Sequence, residues 1–175
     1  MWHDRAHRGS AAWLKSKEPM RIALVLAALT VAIPLTASAR DEMCRPLRKF
    51  VASVQPGQTK SLEFHTHWGL GGFTNLKETE NSLSSKRCNS HDYAPAEAVC
   101  SYLMQNGAVE FAGENAKRAL MCLSRRMTFG EMIRLDRGEF DFHYGSDYRG
   151  SNLTLEYDED HEIGGMVLAI TAEGY

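Results

Sequence analysis

The sequence lacks the short motifs that mark the common catalytic chemistries. Its 175 residues contain neither a G-x-S-x-G nucleophile elbow nor a phosphate-binding P-loop. Ser146 stands in a Gly-Ser-Asp turn, and the glycine-rich stretch 69–72 is not followed by a Lys-Ser/Thr pair. The four cysteines form no C-x-x-C pair, which argues against a zinc ribbon or a thioredoxin-type redox site. We therefore expect no catalytic residue and no cofactor, and the pattern favours a protein that is not an enzyme.

The chain also has no large excess of positive or negative charge. Twenty Lys+Arg against 22 Asp+Glu give a net charge of −2, whereas a dedicated nucleic-acid binder usually has a strong basic excess. Apolar residues make up 43% of the chain and charged residues 24%, as in ordinary globular proteins. This composition excludes collagen, a coiled-coil rod and a fully disordered chain, and it predicts no nucleic-acid partner.

The longest apolar run is too short to span a membrane, which takes about 20 residues. It covers residues 22–35 and reads IALVLAALTVAIPL. Arg21 precedes the run and the small residues 37–39 (Ala-Ser-Ala) follow it, which is the pattern of a secretory signal peptide. We expect cleavage between Ala39 and Arg40, a periplasmic or secreted product, and no stable membrane anchor after cleavage.

The segment before the signal is unusually long for its positively charged part. Residues 1–19 carry four basic residues, and Met20 followed by Arg21 would make a compact start. Our hypothesis is that Met20 is the initiator and that residues 1–19 are an over-extended reading frame. The predicted organisation is an N-terminal extension plus signal peptide over 1–39 and a single exported domain over 40–175.

All four cysteines lie in the expected exported domain: Cys44, Cys88, Cys100 and Cys122. An even number in an exported protein predicts disulfides, here two. If residues 95–105 and 108–124 form an antiparallel helical hairpin, Cys100 and Cys122 are offset by roughly 13 Å along it. Disulfide Cα atoms lie within about 7 Å, so a Cys100–Cys122 bond is disfavoured. Cys88 precedes the first helix and would lie near the end of the second, close to Cys122. We therefore predict Cys88–Cys122 with Cys44–Cys100, and we keep Cys44–Cys122 with Cys88–Cys100 as the alternative.

Hydrophobic periodicity predicts an α+β fold. Helices are expected over 41–54, 95–105 and 108–124, because their apolar residues recur at intervals of three and four. Residues 74–93 are polar and predict a long loop. Alternating apolar and polar residues predict strands over 60–68, 131–135, 139–144, 151–157 and 166–172. In the first strand the side expected to be buried consists of Leu62, Phe64, Thr66 and Trp68, and the polar side of Glu63, His65 and His67. In 151–157 the apolar residues Leu153, Leu155 and Tyr157 alternate with polar ones such as Glu156 in the same way. The expected architecture is N-terminal helices packed on a C-terminal antiparallel β-meander, held by two disulfides.

Charge is distributed unevenly along the exported part. Residues 40–126 carry 12 basic and 9 acidic residues, whereas residues 127–175 carry 3 and 11, so the net charges are +3 and −8. An acidic sheet surface with tyrosines is suited to a basic protein partner, because electrostatics raises the association rate and aromatics anchor the contact. The predicted partner-binding residues are Glu139, Asp141, Tyr144, Tyr148, Glu156, Asp158, Glu159 and Asp160.

Two other functions remain open at this point. His65 and His67 lie on one side of a predicted strand and would ligate a metal if His143 joined them, as in an envelope hydrolase or metal-binding protein. A structural envelope component or secreted effector is the other alternative. In size, signal, cysteines and acidity the chain is similar to small exported bacterial enzyme-binding proteins, such as periplasmic lysozyme inhibitors and toxin-immunity proteins. That similarity includes no motif and implies no functional residue.

Overall fold

The computed structural model describes residues 42–73, 83–124, 126–130 and 132–175. The predicted signal segment and the stretch before it lie outside the described residues. Within the described ranges, no helix is long and apolar enough to cross a membrane.

Within the described residues, three helices and five strands confirm the α+β class. Three of the strands come after the last helix, whereas the sequence predicted four there. In chain order the elements are α1 (Cys44–Ser53), β1 (Thr59–Trp68), β2 (Ser84–Asn89), α2 (Ala94–Asn106), α3 (Gly113–Leu123), β3 (Gly138–Ser146), β4 (Arg149–Glu159) and β5 (Met166–Gly174).

The strands form one antiparallel sheet in the order β2-β1-β5-β4-β3. The last three strands are the predicted meander, and a two-residue turn joins β3 to β4. β1 pairs with β5, with Phe64 opposite Leu168. The turn before β1 is fixed at its start, where Pro56 bridges to Gly174 and Gly57 adopts a φ of +74°. A non-glycine residue would be strained at that angle.

All three helices pack on the same face of the sheet. Leu47, Phe50 and Val51 of α1 are fully buried, and Ser151 of β4 donates a hydrogen bond to the Val51 carbonyl at 2.8 Å. The sheet contributes alternate residues of β1, β4 and β5 to this core, including Leu62, Leu155 and Ile170. Burying such a side chain contributes about 1.5–3 kcal/mol, so the helix-facing side of the sheet carries most of the hydrophobic stabilisation.

Helix α2 ends where the chain passes close to the core side chain of Phe64. The helix ends at Asn106, and the N–H of Gly107 donates to the carbonyl of Leu103. Gly107 has an ordinary negative φ of −65°, so its conformation does not require glycine. A Cβ there would lie 2.6 Å from the Phe64 ring. Glycine is needed because the chain passes directly over a core phenylalanine.

The predicted loop over 74–93 is wrong in its second half, because residues 84–89 form β2. This strand is polar (SSKRCN) and half-exposed, so it lacks the hydrophobic alternation by which strands are recognised. Among the described strands it lies at the edge of the sheet and pairs with β1 alone. Polar edge strands are common, because their outer side is solvated. Residues 74–82 lie outside the described residues.

The predicted disulfide pairing is also wrong, and the alternative is observed. Cys44 is bonded to Cys122 and Cys88 to Cys100, with Cα–Cα distances of 4.8 and 5.4 Å. The assumed proximity of Cys88 to Cys122 required the stretch before α2 to be a loop beside α3. Instead Cys88 is held in β2, where it joins the sheet to α2. Helix α1 packs against α3, which brings Cys44 to Cys122.

The strand predicted over 131–135 is absent from residues 132–135. Ile133 donates its N–H to Gly130 in a turn, and its carbonyl accepts a hydrogen bond from Lys117 Nζ at 2.7 Å. That ammonium is buried and also pairs with Glu114 at 2.6 Å. The predicted helix over 108–124 begins only at Gly113, because the Asn115 side chain bonds both the N–H and the carbonyl of Ala108.

Loss of either disulfide is expected to destabilise the fold unequally. The Cys44–Cys122 bond joins residues 78 positions apart and Cys88–Cys100 joins residues 12 apart. By loop entropy, replacing the first pair with alanine should lower the free energy of unfolding by roughly 4–5 kcal/mol and the second by roughly 3 kcal/mol. Urea unfolding measures both values. Equal losses, or non-reducing peptide maps that join Cys88 to Cys122, would contradict the observed framework.

Candidate functional site

The sheet has a second face that no described helix covers. We call it the outer face, formed by the alternate strand residues that point away from the helices. In the central strand β5 these are Val167, Ala169 and Thr171, all small or medium-sized, and Glu173 next to the end of the strand. Neighbouring β4 places Thr154 beside Thr171. The middle of the outer face is therefore shallow and free of large side chains.

Carboxylates border this shallow centre on both sides. Within the described strands, Arg87 is the only arginine or lysine with the same orientation. Pairing of the strands in register places the acidic side chains in adjacent rows, with β1 on one side of β5 and β4 and β3 on the other. The outer-face carboxylates are Glu63, Glu139, Asp141, Glu156, Asp158 and Glu173.

Two of these carboxylates stand directly opposite each other. Glu139 in β3 is the cross-strand partner of Glu156 in β4, and both are exposed. Among the described residues neither has a cationic partner. Like charges at directly opposed sheet positions destabilise a fold. The pair thus concentrates negative potential that the rest of the described chain does not neutralise.

The predicted partner-binding residues divide into two groups. Four of them lie together on the outer face: Glu139, Asp141, Glu156 and Asp158. Asp141 accepts a hydrogen bond from Thr154 at 2.7 Å, and Asp158 lies 3.9 Å from Arg137. These contacts leave most of the negative charge facing solvent.

The other four predicted residues are placed elsewhere. Tyr144 points to the helix side and packs against the core, while Tyr148 is exposed at the tip of the β3–β4 turn. Glu159 is also on the helix side, 3.5 Å from Arg137. The side chain of Asp160 is only 6% exposed. The strand alternation continues through these residues, so a dense acidic stretch in the sequence is split between faces.

Asp160 instead forms a buried pair with His65. Its Oδ2 lies 2.6 Å from His65 Nδ1, and its Oδ1 accepts the N–H groups of Glu162 and Ile163. Burial by itself raises the pKa of this carboxyl, but the hydrogen bonds from Ile163, His65 and Glu162 outweigh it and lower the pKa below 3.8. The pair connects the β4–β5 turn to β1, so its role is to stabilise the fold.

The three histidines of the metal hypothesis do not converge. His143 is in β3 and is separated from β1 by two strands, or roughly 14 Å. It lies 2.7 Å from Asn152. His67 packs edge-on to Phe73, and its Nδ1 is buried without a hydrogen-bond partner in the described chain. Among the described residues no cluster of three or more His, Cys, Asp or Glu could hold a metal ion.

Two outer-face carboxylates are not among the partner-binding residues predicted from the sequence. Glu63 and Glu173 belong to strands whose pairing joins positions more than a hundred residues apart, such as Glu63 and Ala169. The alternation of β1 did indicate that Glu63 lies on a polar side. Nothing local in the sequence indicates that β1 is the neighbour of β5, so Glu63 could not be assigned to the acidic surface.

Comparison with known protein families, characterised proteins and solved structures gives no match to this chain.

Removal of the Asp160 carboxylate should weaken the fold in a pH-dependent way. Because its pKa is lowered on folding, this group stabilises the protein above pH 3.8, and the contribution is lost as the pH falls through the folded value. We expect Asp160→Asn to lower the free energy of unfolding by about 2 kcal/mol at pH 7. The further loss of stability between pH 7 and pH 2 should be smaller in the variant than in the wild type. Urea unfolding from pH 7 to pH 2 measures this. Asp158→Asn, at a side chain that is 42% exposed, is the matched control, and equal effects of the two substitutions would contradict the assignment.

Neutralising one member of the opposed glutamate pair should stabilise the protein. Glu156→Gln removes the repulsion with Glu139 and is expected to raise the free energy of unfolding by about 0.2–1 kcal/mol at low ionic strength. Salt screens exposed charges, so the gain should shrink at 1 M NaCl. Glu42→Gln, an exposed site outside the sheet, serves as control. A loss of stability in Glu156→Gln would show that the pair does not repel.

Proposed function

We propose that this chain is a small exported binding protein that masks a basic enzyme with its outer face, as an inhibitor or immunity-type module. The main support for this proposal is the Glu139–Glu156 pair, which is exposed and has no cationic partner among the described residues. A surface that only had to be soluble would gain stability from mixing its charges. The chain instead keeps like charges at directly opposed positions on a shallow face, where a cationic partner would relieve the repulsion.

The shape of the outer face supports a protein partner rather than a small ligand. Its centre is formed by Val167, Ala169 and Thr171, so a partner backbone and the aliphatic stems of its lysines or arginines can approach closely. Carboxylates of Glu63 on one side and Glu156 on the other then receive the cationic ends. Complementary charge of this kind raises association rates and selects the partner's sign.

The disulfides indicate an oxidising, extracytoplasmic compartment, where such bonds persist. The signal-like pattern of residues 22–35 supports export to the periplasm or beyond. An inhibitor that acts outside the cytosol has to stay folded there, and the two disulfide cross-links help it to do so. The proposed location and the proposed role are therefore consistent.

Affinity capture with matched charge variants tests the proposal. The protein is immobilised as wild type, as Glu139→Gln with Glu156→Gln, and as Glu42→Gln with Glu97→Gln, which changes the net charge equally at exposed sites off the outer face. Secreted and periplasmic fractions of the source organism are passed over each at 50 mM and 500 mM NaCl, and bound proteins are identified by mass spectrometry.

We expect basic proteins that are retained by wild type and by the control at low salt, released at high salt, and bound at least about tenfold more weakly by the outer-face variant. Retention that is the same for all three proteins, or that does not respond to salt, would refute binding through this face. The purified partner's enzymatic activity, assayed with and without the protein, then tests masking.

A further inference from the structure

A cleft lies at one end of the molecule, on the side of the sheet opposite the outer face. We call it the end cleft: the sheet extends past the helices there, and the space between the strand ends and segments 109–114 and 134–137 has a volume of about 460 Å³. That volume lies within the range of ligand sites, about 300–1,000 Å³. The proposed outer-face interaction makes no use of this space.

Two aromatic rings stand at the cleft with much of their surface in solvent. Trp68, the last residue of β1, is 53% exposed and Phe111 is 57% exposed. The alternation of β1 predicted Trp68 on the buried side, and it does point to that side, but the helix layer ends before it. Exposed aromatics next to a concave space are typical of contact sites, because burying them releases much apolar surface.

A tyrosine hydroxyl without a partner in the described chain points to a polar ligand at the same place. Tyr157 lines the cleft and is 4% exposed, and its hydroxyl has no hydrogen-bond partner among the described residues. Burial first, and the charge of Asp136 second, raise the pKa of Tyr157 to about 12. The phenol therefore keeps its proton and offers an uncharged oxygen, next to a carboxylate, as a hydrogen-bond acceptor.

The charges around the cleft favour a cation. Its lining includes four carboxylates and two guanidinium groups. Glu114 is neutralised by Lys117 at 2.6 Å and Glu159 by Arg137 at 3.5 Å. Arg134 lies over the Phe111 ring at 5.9 Å. Glu110 and Asp136 remain without an ion pair in the described chain, and both are exposed. Arg134 also has no ion pair there, so the lining keeps an excess of one negative charge.

We propose that the end cleft binds an arginine side chain of the partner protein, with the guanidinium between Asp136 and the Tyr157 hydroxyl and the stem against Trp68. A guanidinium fits better than an ammonium, because it is planar, stacks on aromatic rings and donates several hydrogen bonds in fixed directions. This inference rests on the proposed function for the source of the arginine. It adds an anchoring pocket on the helix side of the sheet to a protein whose outer face acts through charge.

Trp68 supplies a direct readout. The tryptophans of the chain are Trp2, Trp13 and Trp68, so the full chain with Trp2→Phe and Trp13→Phe reports only on the cleft. Its fluorescence is followed while N-acetyl-arginine amide is added, with the uncharged citrulline amide as matched probe. We expect saturation at about millimolar arginine probe, and at least about tenfold weaker binding of the citrulline probe.

Conservative variants locate the binding. Asp136→Asn should weaken the arginine probe about tenfold and Tyr157→Phe about threefold, with circular dichroism verifying that both are folded. The outer-face double variant should bind it within about twofold of wild type, because its charges lie on the other side of the sheet.

Equal binding of arginine and citrulline probes, or full affinity in both cleft variants, would overturn the inference. If the arginine probe leaves Trp68 unchanged while the outer-face variant still loses its captured partners, the end cleft is not an arginine site and the proposed function stands. If the arginine probe binds and no captured partner depends on the outer face, the end cleft is an arginine site and the proposed function is refuted.

Discussion

One-sided packing is the constraint on which the rest of this structure depends. Three helices cover one face of a five-stranded sheet, and each strand must then place apolar and polar residues alternately. The helix-facing positions form the core. The side chains at the outer positions are not part of the core, so their size and polarity are not fixed by packing. In this chain those positions have collected carboxylates.

The disulfides strengthen the same arrangement. Cys44–Cys122 joins two helices of the covering layer, and Cys88–Cys100 joins an edge strand to a helix above it. A polar strand such as β2 has little apolar surface with which to hold itself against the core. A covalent bond to α2 replaces that missing contact, which explains why a weakly amphipathic segment stays in the sheet. The uneven spacing of the four cysteines follows from this geometry.

The outer face and the end cleft are two separate consequences of incomplete coverage. One results from the absence of a second covering layer in the described chain, and the other from a helix layer that is shorter than the sheet. In the proposed function, the outer-face carboxylates act over distance and select a partner of positive charge. In the proposed arginine site, the cleft acts at contact, through Trp68 and the Tyr157 hydroxyl. Together they would combine fast association with a slower release, which is what a masking protein requires.

The sequence by itself determined the features that depend on neighbouring residues. Alternation along β1 and β4 was sufficient to place Leu62 and Leu155 inside and Glu156 outside, and helix α1 was evident from its apolar stripe. Only the tertiary structure decided which strands are neighbours, which cysteines pair and where the helix layer ends. Strand pairing and disulfides join positions far apart in the chain, and a polar edge strand carries no local signal. The split of the acidic stretch at Asp158–Asp160 between solvent and a buried histidine pair has the same cause.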